Sequence, residues 1–128
     1  MDPKAEFQEK LDAFLTTHRQ ILADFQRSLV NARHFMQLAE KAAEHEPENA
    51  VVLLEQIKEI DLLGHLERQS EEFQSVASLM QSGAGEKLDG QVRGLLGELD
   101  GQYQALVEEA ADQMEGLDRM LFSLQNMQ

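Results

Sequence analysis

Along the first third of the chain, apolar and half-apolar side chains recur at a helical spacing. Phe7, Leu11, Phe14, His18, Ile21, Phe25, Leu29, Ala32, Met36, Ala39 and Ala43 alternate steps of four and three, with one extra step of four from Phe25 to Leu29. That spacing draws a single stripe down one helix face. No Pro, Gly or turn cluster interrupts residues 4–45, so the pattern predicts one helix over about 3–45. Asp2 is placed to cap it, and Pro3 suits its first position because the missing N–H costs nothing there. Such a helix would be roughly 60 Å long. A rod of that length cannot be the centre of a sphere, and other long helices must pair with it.

Pro47 disfavours helical geometry at Glu46 and opens a second helix over about 47–81. Its stripe is Val52, Leu53, Ile57, Ile60, Leu63 and Leu66, followed by Phe73, Val76, Ala77 and Met80. The stripe slips around Gly64 and weakens at Ser70, which predicts local curvature. Ser82-Gly83-Ala84-Gly85 reads as the clearest loop, with Gly83 suited to closing the helix. A third helix is expected over about 86–127, with its stripe at Leu88, Val92, Leu95, Leu99, Tyr103, Leu106, Ala110, Met114, Leu117, Leu121 and Leu124. The expected fold is all-α: a single domain over 1–128, an elongated antiparallel bundle of three long helices with coiled-coil-like packing.

Two stretches of the third helix do more than the core requires. Gly90, Gly94, Gly97 and Gly101 keep helical phase two residues behind the leucines, a rotation of about 200°, so they lie opposite the core stripe. Each costs roughly 1 kcal/mol relative to Ala in a helix interior. Either the segment is irregular, with ordered helix only after Leu99, or it is a smooth face for another helix. The C-terminal DRMLFSLQNMQ carries Met120, Phe122 and Met127 beyond the stripe. These side chains are expected to form additional core packing, a homodimer contact or a docking surface for a different protein.

Charge narrows the partners. The net charge is −13, and residues 98–118 hold seven carboxylates without a Lys or Arg, whereas 4–34 are close to neutral. Nucleic acid and anionic membrane surfaces would be repelled. There is no Cys, so no disulfide or thiolate site can form, and a cytoplasmic location is expected. The N-terminal MDPKAEF lacks the features of a signal peptide, and the longest apolar run, residues 50–54, is far too short to span a membrane.

Catalytic and cofactor chemistry finds no foothold. His18, His34, His45 and His65 form neither a Glu-x-x-His nor a His-x₃-His pair, and His18 reads as a half-buried filler on the core stripe. Asp61 and His65 read as an ordinary surface pair four residues apart. GAGEKLDG lacks the phosphate-loop pattern. No enzyme activity, metal or cofactor is expected.

In its small size, strong acidity, lack of Cys and Trp, all-helical pattern and apolar C-terminal MLFSLQNMQ, the chain resembles the small export chaperones of flagellar and related type III secretion systems. The resemblance spans the chain but rests on composition. It implies that residues around Met120, Phe122 and Met127 hold an export substrate. In outline the chain is also similar to a spectrin-type repeat, without that repeat's Trp and as one unit rather than an array. Two functions follow as expectations. One is a non-enzymatic adaptor or chaperone-like module of bacterial type that holds a partner's amphipathic segment. The other is a structural three-helix rod that self-associates into a homo-oligomer.

Overall fold

The computed structural model describes residues 2–83 and 90–126, and every regular element among them is a helix. In chain order these are α1 (Pro3–Ala42), α2 (Pro47–Ile60), α3 (Leu62–Gly83) and α4 (Gly90–Asn126). Helices α2 and α3 together make one bent leg, so the molecule is a three-legged bundle. Cross-helix pairs fix the directions. His18 meets Tyr103 and Leu29 meets Gln113, so α1 and α4 run parallel. Gln74 meets Asp100 and Ser70 meets Gln104, so the bent leg runs antiparallel to α4. Among the described residues there is no strand, and no helix is long and apolar enough to cross a membrane.

The stripes expected from sequence form the core, with a wider face on α1 than one stripe supplies. Leu11, His18, Leu29, Ala32 and Ala39 are buried on that stripe, but so are Leu15 and Leu22 beside it. Phe7, Phe14, Ile21 and Phe25 are only partly buried and pack against its edge. The reason is geometric: α1 touches both other legs, and two contact directions need two rows of apolar residues. On α4, Leu99, Tyr103, Leu106, Ala110, Leu117, Leu121 and Leu124 are buried as expected, together with Leu96.

The single helix expected over 47–81 is corrected. It breaks at Asp61, which takes the left-handed conformation (φ 53°, ψ 53°). Asp is among the few residues that tolerate this geometry. Its N–H donates to Lys58 O and ends α2, while its side-chain Oδ1 accepts the Gly64 N–H at 3.1 Å and starts α3. One residue thus closes one helix and caps the next. Gly64 makes room for it, because a Cβ there would run into the Asp61 carboxylate. The expected Asp61–His65 pair does not form; His65 Nδ1 instead accepts from Arg68 at 2.9 Å.

The break divides the core in two. Leu11, Leu15, Leu22, Leu66, Phe73, Leu99 and Tyr103 belong to one cluster, built from α1, α3 and α4. Ala39, Ala50, Leu54, Leu117, Leu121 and Leu124 form the other, built from α1, α2 and α4. Ala39 and Ala50, both fully buried, let α1 and α2 approach closely beside their connecting turn. Val52 and Ile60, expected in the stripe of this leg, are exposed; Ala50 and Leu54 occupy the core instead, flanked by Val51, Leu53 and Ile57.

Helix ends shift by a few residues. The first helix stops at Ala42 rather than 45, and residues 43–45 form a turn closed by Glu46 N–H donating to Ala42 O at 2.6 Å. Pro47 opens α2 as expected. Gly83 is the last residue of α3, not part of a loop. The remainder of that loop, the expected helix start at 86 and the stripe residue Leu88 lie outside the described residues.

Candidate protein-binding surface

Opposite its core row, α4 carries one solvent row: Gly90, Gly94, Gly97, Gly101, then Ala105, then Glu108, Asp112 and Glu115, then Arg119 and Phe122. All are exposed. The four glycines lie in regular helix, so of the two expected alternatives the irregular stretch, ordered only after Leu99, is the one that falls. None has the left-handed backbone that would require glycine, and a Cβ built on any of them meets nothing within 4 Å. In the isolated molecule, therefore, neither conformation nor crowding calls for glycine at these positions. What they produce is a strip of bare backbone about 17 Å long on the outside of a helix.

The carboxylates continue that strip. Of the seven acids on α4, Glu109 pairs with Arg33 and Asp118 with Lys58 across the bundle, and Asp100 accepts from Gln74. Glu108, Asp112 and Glu115 project along the outer row, spaced like three successive turns of one ridge.

The three expected C-terminal contact residues separate. Phe122 is 69% exposed and belongs to the same outer row as the glycines, so two candidate features singled out independently fall on one face. Met120 does not join them; it is partly buried against the second core cluster, which is the additional core packing among its expected roles. Met127 lies outside the described residues.

The polar centre of the bundle lies elsewhere and was only half visible in the sequence. His18 is buried with its Nδ1 2.7 Å from the Tyr103 hydroxyl, inside a ring of Phe14 and Phe73. Phe14 and Phe73 stack with centroids 5.4 Å apart. Burial lowers the His18 pKa, with the Glu72 carboxylate acting the other way, which favours the neutral imidazole. Burial, reinforced by Glu72, pushes the Tyr103 phenol up to about 12. The pair satisfies two polar groups that the core would otherwise hold unpaired. A usable signal existed: the only Tyr of the chain and a His both sit on core stripes, and each needs a partner there. Among the described residues no three His, Asp or Glu side chains converge on a point where a metal ion could sit.

Comparison with protein-family models, with curated proteins and with solved structures found no match.

Proposed function

We propose that this protein is a non-enzymatic helical protein-binding module, an adaptor or export-chaperone-like protein of the cytoplasm, and that it holds a basic amphipathic helix of a partner on the outer row of α4. One observation carries the reading: four glycines in regular, exposed helix that the isolated fold does not need, followed on the same row, past Ala105, by three outward carboxylates. Together the glycines weaken the helix by up to about 4 kcal/mol, a large amount for a small domain. Their use is close approach, since a partner helix can lie against bare backbone with no side chains between. Glu108, Asp112 and Glu115 then select Lys and Arg on that partner, and Phe122 supplies an apolar stop at the far end. Recognition of this kind is helix against helix, with residues of the partner spaced at three and four.

A labelled synthetic helix with Leu and Lys at heptad spacing tests the reading, with a scrambled peptide of equal charge as control. Fluorescence anisotropy is expected to show saturable binding of the amphipathic peptide. Glu108→Gln, Asp112→Asn and Glu115→Gln together are expected to weaken it at least tenfold, with helix content unchanged. Equal binding of the scrambled control, or no loss in the triple variant, would overturn the proposal.

A further inference from the structure

Resting on the reading just given, we propose that one occupant of the α4 face is a second copy of this chain, docking through the outer row of its α1. Arg27, Val30, His34, Leu38 and Lys41 form that row, spaced three, four, four and three, opposite the buried Leu29, Ala32 and Ala39. Val30 is 57% exposed and Leu38 43%, so two apolar side chains stand outward between three basic-type residues. Two shallow hollows lie along the same row. One is bounded by Arg27, Val30 and Glu109, the other by His34, Leu38 and Lys41.

Charge selects this surface. Helix α1 has six Lys and Arg against five Asp and Glu, whereas α4 has two against seven. In α2 and α3 the acids outnumber the bases three to one. The outer row of α1 therefore offers α4 the cations Arg27 and Lys41 and holds no carboxylate of its own. Spacing agrees. Arg27, His34 and Lys41 repeat every seven residues, as do Gly94, Gly101, Glu108 and Glu115. Seating Val30 and Leu38 on the stretch from Gly94 to Gly101 brings Lys41 (helices parallel) or Arg27 (antiparallel) within a turn of Glu108. Arg27 already pairs with Asp24 on its own helix, an exposed and readily exchanged contact.

The contact joins two different faces, so it does not close on itself with two copies, and assembly passes beyond the dimer into rings or short filaments. A contact one helix wide and about 20 Å long is at the small end of interfaces, so it is weak and reversible.

Sedimentation velocity of the 14.5 kDa chain, run from about 10 to about 500 µM where such contacts associate, reads this out. The wild-type mass is expected to climb past the dimer. Val30→Asp with Leu38→Asp blocks only the α1 face, and Gly97→Glu with Gly101→Glu blocks only the α4 face. Each variant alone should remain a monomer, while an equimolar mixture retains one intact pair of faces and should stop at the dimer. Val30→Ser with Leu38→Ser repeats the α1 block should the acidic pair reduce helix content. A wild type that stops at a dimer, a variant that assembles like wild type, or a mixture that remains monomeric overturns the proposal. A monomeric wild type that still binds the basic peptide removes the second copy as occupant and leaves the proposed function standing; one that binds no peptide removes both.

Discussion

Tyr103 and His18 form a buried polar contact inside the core. Tyr103→Phe removes the hydroxyl and leaves the imidazole nitrogen buried without its partner, so urea unfolding should show a loss of about 1–3 kcal/mol. The same pair predicts how stability responds to pH. The His18 pKa is lowered in the folded state, so folded molecules bind fewer protons than unfolded ones below 6.5. Stability from this group is complete above 6.5 and declines as pH falls from there toward the lowered folded value. At the alkaline end the sign reverses. Tyr103 is raised from 10.0 to about 12, so its contribution is complete below 10 and is lost as pH climbs from 10 to 12. In His18→Leu the acid-side decline should flatten, whereas an unchanged slope would assign it to other groups. Sequence located both residues on core stripes but not their meeting, because the two are 85 residues apart in the chain and their pairing depends on the relative height of two helices. Stripe spacing carries no information about that height.

Asp61 governs the bent leg at the scale of the element. Asp61→Gly keeps the left-handed turn and loses the cap, and Asp61→Ala loses the cap and adds left-handed strain. Thermal unfolding should therefore rank wild type above Asp61→Gly, and that above Asp61→Ala, with the last costing about 2–3 kcal/mol in all. An Ala variant as stable as wild type would mean that the break is set by packing rather than by this residue. The slip in the stripe at Gly64 was legible, and its cause was not. Residues 47–81 contain helix formers on both sides of Asp61, so propensity alone favours continuation. The overlooked signal was Asp-x-x-Gly, a capping side chain followed at the correct distance by a residue with no Cβ to obstruct it. Val52 and Ile60 are exposed because α2 docks through Ala50 and Leu54, a row that spacing alone did not single out.

Across the whole molecule, three long legs, their order and most of their core rows were readable because one repeating spacing runs through 40 residues of α1 and 37 of α4. The division into two stacked clusters was not, since it follows from the bend. The outer rows were readable unequally. Glycines stand out in a helix, and so four of them marked the α4 face; Val30 and Leu38 are ordinary residues whose exposure appears only once the buried rows are known. Bare backbone for a partner helix is the central claim at this scale, and one variant tests it on two properties in the same sample. Replacing Gly90, Gly94, Gly97 and Gly101 together by Ala meets open space at every position, so it should raise the unfolding free energy by up to about 4 kcal/mol. It also covers the strip with four methyl groups. Affinity for the amphipathic Leu/Lys peptide should fall at least tenfold while stability rises. Stability that rises with affinity unchanged would contradict it, leaving the glycines helical and without a part in recognition.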